Sequence, residues 1–287
     1  MRLSVLDARA VWHGPLIGAA TARGWDARRI FDASDAEAGG YGFIRPHAVP
    51  HVLLEHQAID AELRGSLTMV QDRAQVAAYE NKTEQWRRWG HLMPDTWLVT
   101  DRNAIPDCDF PIVSKANEGA SSVNIRILRD RAALDQHADS VFGAGVAVNC
   151  CADGASTVQR GYLLLQRYIP HDITFRVNAV GRRLVGFERR NYPDRPVAQT
   201  GNVSPMMVPD ESLLDYARMV AATISSKWVA LDILRDGAGW KLLETSLAWP
   251  WPSPGACAQA PFFGTRRTWS ELWDVLIDEL EAGVWGG

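Results

Sequence analysis

Over the first eighty or so residues, short apolar runs alternate with longer amphipathic stretches, and that order predicts strand and helix in turn. LSVLD reads as a strand, GPLIGAATARG as a helix closed by Gly24, ARRIFD as a strand, and VLLEHQAIDAELRG as a helix closed by Gly65. Such alternation implies a small α/β lobe with a largely parallel sheet. AAYENKTEQWRRWGH then predicts a helix ending near Gly90, and FPIVSKANEGASSVNIRIL predicts two short strands around a small-residue loop. From residue 161 the pattern becomes strand-rich. YLLLQRYI is an apolar run broken at Gln166 and Arg167, and FRVNAVGRRLVGFERR predicts a hairpin turning at Gly181. The helix DYARMVAATISSKW leads into a second hairpin, WVALDILRDGAGWKLLETSL. A last helix has Thr268 and Glu271 at capping-box spacing, with Trp269, Leu272, Trp273, Leu276, Ile277 and Leu280 on one stripe.

Composition narrows the class without naming it. The chain has 287 residues, enough for two or three lobes, with 47% hydrophobic and 22% charged residues as in ordinary globular proteins. No apolar run approaches a membrane span, and the segment MRLSVLDARAVWHG has no small-residue cleavage site, so a cytoplasmic protein is expected. Cys108, Cys150, Cys151 and Cys257 form no CxxC and are expected as free thiols in a reducing compartment. A net charge of -4 gives no footprint for nucleic acid over the whole chain. His47, His51 and His56 are close, but Pro50 breaks any helix that would align the first two, which favours ordinary loop and helix histidines over a metal cluster.

The second hairpin carries the first sign of chemistry. If its loop is the three residues Gly237 to Gly239, Asp236 pairs with Trp240 and Asp232 falls opposite Glu244. A four-residue loop moves the register by one and sends Glu244 to the other face. In the first register two like charges sit side by side, which destabilises the sheet unless something positive lies between them. A divalent cation is the natural occupant, completed by water and substrate phosphates, and Ser246 on the same face could add an oxygen. The alternative is a pair of solvent-facing edge acids. Lys115 ends the strand PIVSK just before ANEGASS, where backbone N–H groups could approach phosphate, and Lys82 opens the helix TEQWRRW. Arg176, Arg189 and Arg190 make the central hairpin denser in positive charge than a structural hairpin requires.

In this order the features resemble the ATP-grasp family, and more closely its branch containing glutathione synthetase and the RimK-type ribosomal-protein glutamate ligase. The resemblance rests on NKTEQWRRWGHLMPDTWLVTD, FPIVSKANEGASSVNIRIL, LLLQRYI, FRVNAVGRRLVGFERR and ALDIL with WKLLETS, and covers roughly residues 79–255. It implies an α/β chain with an ATP-grasp fold preceded by a small Rossmann-like lobe: an N-terminal lobe over 1–78, a small lobe with a phosphate flap over 79–160, and a large lobe over 161–287. It also implies ATP and one or two Mg²⁺ ions, and transfer of the γ-phosphoryl group to a carboxylate that an amine then attacks. On this resemblance Lys82, Lys115, Gly119 and Ser121 meet the phosphates, and Gln166, Tyr168 and Ile169 form the adenine hinge. Asp232, Glu244, Ser246 and Asn202 hold metal, and Asp172 or Arg176 meets ribose or substrate. Arg189 or Arg190 stabilises an oxyanion. The partners implied are small-molecule or peptide carboxylates and amines, with no membrane, and a homodimer is an open expectation.

Several positions depart from the family pattern. Ser246 stands where the family has asparagine, the flap has only Gly119 and carries Glu118, and Asp172 and Arg176 lie four apart. These departures keep two other functions open: a degenerate grasp fold that binds nucleotide or a partner without turnover, and a kinase-like phosphotransferase. Trp249 and Trp251, in the Trp-Pro pairs after the acids, either stack on substrate or pack a rigid loop.

Overall fold

A computed structural model describes residues 1–8, 10–47, 50–118, 124–149, 156–191, 203–237, 239–247 and 256–285. The N-terminal lobe contains β1 (Arg2–Asp7), α1 (His13–Ala22), β2 (Asp26–Arg29), β3 (Tyr41–Arg45), α2 (Pro50–Leu63), β4 (Thr68–Met69) and α3 (Arg73–Ala77). Its sheet has the order β2-β1-β3-β4 and is parallel throughout, as the alternation predicted. Next come α4 (Lys82–Trp89), β5 (Thr96–Val99), β6 (Ile112–Lys115), β7 (Ile125–Leu128), α5 (Arg131–Phe142), β8 (Val146–Asn149), β9 (Ser156–Gln159) and β10 (Leu163–Arg167). Strand β10 pairs with both β5 and β6, so the apolar run expected to open the third segment belongs to the sheet of the second. The remaining elements are β11 (Ile173–Val180), β12 (Arg183–Arg190), β13 (Val203–Pro205), α6 (Glu211–Thr223), β14 (Trp228–Asp236), β15 (Gly239–Ser246) and α7 (Leu272–Glu281). Their strands form an antiparallel sheet in the order β13-β12-β11-β14-β15.

Two local expectations need correction. The helix read through AAYENKTEQWRRWGH is broken: α3 stops at Ala77, Glu80 takes a left-handed φ of 51°, and α4 restarts after Asn81. The Asn81 side chain accepts from Glu84 N–H, so a capping side chain in the middle of the pattern sets the boundary. The turn between β14 and β15 also differs, because Asp236 pairs with Gly239 and leaves two residues between them, with Gly237 at φ 58°. The capping box at Thr268 forms as expected, with Glu271 Oε2 accepting from Thr268 N–H at 2.9 Å.

One apolar core joins the N-terminal lobe to the large sheet and α7. At its centre Trp12 meets Phe43, Trp228 and Trp273 edge-on at 5.7–6.1 Å, and Trp228 stacks on Trp273 at 5.9 Å. The β5-β10-β6-β7 sheet packs with α5 around a separate core. Among the described residues, no helix is long and apolar enough to cross a membrane.

Inside that smaller core, Ser114 Oγ lies 3.0 Å from His137 Nε2. Burial, with Arg126 second, pushes the His137 imidazole down to about 4, so the fold favours its neutral form. This stabilisation is complete above the unfolded value of about 6.5 and is lost as pH falls from there toward 4, at ~1.4 kcal/mol per pH unit. Urea unfolding between pH 7 and 4 should therefore show a proton uptake that His137→Gln removes. An identical pH slope in the variant would contradict this account.

Candidate active site

One face of the large sheet changes character along its length. In the register of β11, β14 and β15, Val180 pairs with Trp228, Asn178 with Ala230 and Arg176 with Asp232, while Ser246 faces Ala230 and Glu244 faces Asp232. The apolar end of this face, with Val180, Trp228 and Ala230, belongs to the core shared with the N-terminal lobe. Asp232 does fall opposite Glu244, but by a route the sequence reading missed. The two-residue turn alone would put Leu243 opposite Asp232; a β-bulge between Asp232 and Ile233 adds the residue that restores the pairing. That bulge also presents the Leu243 carbonyl, which accepts from Lys115 Nζ at 3.4 Å.

Arginine supplies the positive charge on the side of Asp232 away from Glu244. Arg176 donates from Nε and Nη2 to the two oxygens of Asp232, each at 2.7 Å, and Arg189 Nη1 donates to Oδ2 at 3.1 Å. All three side chains are nearly buried, at 12%, 13% and 9% exposure for Arg176, Arg189 and Asp232. Burial alone would raise the Asp232 carboxyl, but the two guanidiniums outweigh it and bring it down to about 2. Burial lowers the Arg189 guanidinium, whereas Asp232 keeps that of Arg176 above its usual value despite burial. Arg189 is two residues from Phe187, the partner of Arg176, and so shares its face. Arg190 lies on the other face, 59% exposed and 3.4 Å from Glu188, which removes it from the site.

Two lysines reach the acid pair from other elements. Lys82 is buried at the start of α4, with Nζ 4.0 Å from Glu244 Oε2. Lys115, buried at the end of β6, has its ammonium pushed down to about 8 by burial, with Glu244 opposing and Lys82 assisting the shift. Two amide side chains hold this arrangement, and the sequence reading missed both. Asn117 accepts from Lys82 N–H through its carbonyl at 3.0 Å and from Thr83 N–H through Oδ1 at 2.9 Å, fastening α4 to the end of β6. Gln85 takes Thr245 N–H at 2.9 Å and donates to Thr245 O at 3.0 Å, acting as a further strand on β15 beside Glu244.

The other expected residues scatter. Gln166 is buried on β10 and donates to Thr96 Oγ1 at 2.9 Å. Tyr168 packs near His171 at 6.3 Å, and the Ile169 carbonyl lies 2.6 Å from His171 Nδ1, in the segment joining the two sheets. Asp172 is exposed, and its carbonyl accepts from Asn191 N–H at 2.9 Å. Glu118 Oε2 accepts from Thr157 Oγ1 at 3.3 Å. Gly119, Ser121, Asn202, Trp249 and Trp251, with Cys150 and Cys151, lie outside the described residues. Cys108 and Cys257 are free thiols, and His56 Nδ1 accepts from the backbone N–H of His47.

The donor set suits Mg²⁺ rather than a softer metal. Two facing carboxylates, with Glu244 at 32% exposure and the Ser246 position on the same face, offer a cation a few hard oxygens and leave the rest to water and phosphate. Among the described residues no group of three or more His, Cys, Asp or Glu side chains forms a closed metal cage.

Removing one partner from the arginine cluster should cost far more than neutralising the more exposed acid. Arg176→Gln should lower stability in urea by about 3 kcal/mol, because Asp232 keeps its charge and loses its bidentate partner. Glu244→Gln should remain within about 1 kcal/mol of the parent. Equal losses in the two variants would show that Asp232 does not anchor the cluster.

No protein-family model matches the chain, and no curated protein matches it in sequence. Solved structures do. A RimK-domain ATP-grasp protein from Sphaerobacter thermophilus is 16% identical with a TM-score of 0.59, over 98% of this chain and 100% of that one. The D-cycloserine synthetase DcsG is 15% identical with a TM-score of 0.64, over 99% and 100% of the two chains. The macrocyclase MdnC from Microcystis aeruginosa, solved with its precursor peptide MdnA, is 14% identical with a TM-score of 0.62, over 96% and 99%. With likeness running through nearly the whole of each chain, the protein has the ATP-grasp fold.

Proposed function

We propose that the protein is an ATP-dependent carboxylate–amine ligase that forms an amide through an acyl phosphate, with an amino acid or peptide among its substrates. The observation that carries this reading is the meeting of Lys82 and Lys115 with the facing acids Asp232 and Glu244, drawn from four elements. Solved proteins of the same fold whose names describe a D-alanine–D-alanine ligase, a D-cycloserine synthetase and a peptide macrocyclase support the ligase class.

In the first step a carboxylate oxygen attacks the γ-phosphorus of ATP, the bond to the β-phosphate oxygen breaks, and ADP leaves. Phosphoryl transfer needs alignment and charge neutralisation more than covalent help. Lys82 and Lys115 supply fixed positive charge for the phosphates, and Gly119 and Ser121 of the flap supply backbone contacts. Gln166, Tyr168 and Ile169 lie in the adenine hinge, with Asp172 toward the ribose. Asp232 and Glu244 would hold Mg²⁺, aided by Ser246 and Asn202, and the cation when bound neutralises phosphate oxygens. In the second step the amine attacks the acyl carbon, the tetrahedral oxyanion collapses, phosphate departs and the amine gives up a proton. Arg189 is the candidate for the oxyanion. Its single bond to Asp232 is the easier one to exchange, because Arg176 holds both oxygens.

A nucleotide-binding protein without turnover is the second reading, favoured by Ser246 in the ligand series and by the arginines on Asp232. Phosphate release from ATP with panels of carboxylic acids and hydroxylamine separates the readings. A ligase gives acid-dependent phosphate and a hydroxamate, a kinase gives a stable phosphate ester, and a binder gives neither while still taking up nucleotide.

Lys115 adds a pH signature. With its ammonium near 8, the charged form that meets phosphate is lost as pH rises through that value. Affinity for the ATP analogue AMP-PNP should therefore fall between pH 7 and 9, and Lys115→Arg should flatten the profile. A profile unchanged by the substitution would remove Lys115 from the phosphate site.

A further inference from the structure

Two lysines can act on one phosphate chain only if their spacing is held, and here they stand on separate elements: Lys82 opens α4 and Lys115 ends β6. The N–H groups that open a helix have no partner within it and must find one outside. At α4 all four are met. Asn81 N–H donates to Ala78 O at 3.2 Å, and Glu84 N–H donates to Asn81 Oδ1 at 3.0 Å. The other two, on Lys82 and Thr83, donate to the carbonyl and the Oδ1 of Asn117. Half of the cap therefore comes from a residue two places beyond Lys115. The Thr83 hydroxyl strengthens it, with Oγ1 2.8 Å from Asn117 Oδ1 against 3.0 Å from Asn81 Oδ1.

Asn117 is itself anchored from a third element. Its N–H donates to Gln159 Oε1 at 2.8 Å, and Gln159, buried at the end of β9, donates from Nε2 to Tyr162 O at 3.1 Å. The second bond orients the amide, so that its oxygen is turned to Asn117. Thr157, two residues earlier on β9, donates to Glu118 Oε2, so β9 grips two successive residues of the segment that follows β6. The N–H, the carbonyl and the Oδ1 of Asn117 are thus each bonded to another element, β9 on one side and α4 on the other. Moving Asn117 would release the start of α4, and with it the position of Lys82 relative to Lys115.

We propose that Asn117 and Gln159 are positioning residues of the phosphate site: Gln159 holds the main chain beyond β6, and Asn117 caps α4 from there, setting Lys82 at a fixed distance from Lys115. The role rests on the ligase reading, in which both lysines meet phosphate. Phosphoryl transfer draws aligned charge from the protein more than covalent help, so a loosened lysine costs phosphate affinity without disturbing the rest of the nucleotide site.

The test is titration calorimetry of AMP-PNP in Mg²⁺, and of adenosine by competition with it, on the full chain. Adenosine has no phosphates and reports the remainder of the nucleotide site. The proteins are the parent, Asn117→Ala, Gln159→Leu, Thr83→Val and Thr83→Ser. Asn117→Ala should raise the Kd of AMP-PNP at least about tenfold, with that of adenosine held within about twofold. Gln159→Leu and Thr83→Val should act in the same direction by smaller factors, and they decide the matter if the alanine variant fails to fold. Thr83→Ser keeps the hydroxyl and should bind as the parent does. Equal weakening of both ligands would mean that the variants only loosen the fold, and would overturn the role. Unchanged AMP-PNP binding in the variants would overturn it too, as would a loss in Thr83→Ser as large as that in Thr83→Val. A parent that binds no AMP-PNP would overturn the ligase reading and this role with it, whereas a binding parent with unaffected variants overturns the role alone.

Discussion

The buried triad of Asp232, Arg176 and Arg189 is the constraint on which the rest of the site depends. A nearly buried carboxylate is stable only if its charge is met, and three charge-assisted bonds meet it. That requirement ties β11, β12 and β14 into one charged row and fixes the face on which catalysis could occur. It also sets the electrostatics that an incoming cation or phosphate would encounter. Two arginines stand against one carboxylate at Asp232, and Glu244 stands with Lys82 and Lys115, so four positive groups face two negative ones. Any added cation needs anionic phosphates with it, or an arginine must turn away.

Around that row the fold assembles groups from separate bodies of packing. Lys115 comes from a sheet with its own core, whereas the acids stand on the sheet that shares a core with the N-terminal lobe. The joints between them are polar and specific: Asn117 fastens the start of α4 to the end of β6, and Gln85 fastens α4 to the open edge of β15. Among the described residues the outer edge of β15 thus meets a side-chain amide instead of another strand. The same helix start thus holds Lys82 against Glu244 and caps the edge that carries it.

Much of this was legible in the sequence, and the failures have physical causes. Strand and helix alternation, the Gly181 hairpin and the Thr268 box depend on local periodicity and turn chemistry, and the structure agrees with them. The pairing of Asp232 with Glu244 was reached through the wrong loop, because a bulge compensates a shorter turn and leaves no mark in composition. Arg189 and Arg190 could not be ranked until the register with β11 showed which one shares a face with Arg176. The helix break at Glu80 was hidden because a capping asparagine inside a polar stretch looks like any surface residue. Asn117 and Gln85 are ordinary amides until their partners, distant in sequence, are known. Gly119, Ser121, Asn202, Trp249 and Trp251 remain expectations carried by the resemblance.

The central claim is that Asp232 and Glu244 hold the cation that brings nucleotide to the two lysines. The most direct test is calorimetric titration of AMP-PNP, with and without Mg²⁺, into the parent and the Glu244→Gln variant. The account predicts binding that depends on Mg²⁺ in the parent and loses that dependence in the variant while the fold persists. An equal Mg²⁺ dependence in both proteins would contradict it.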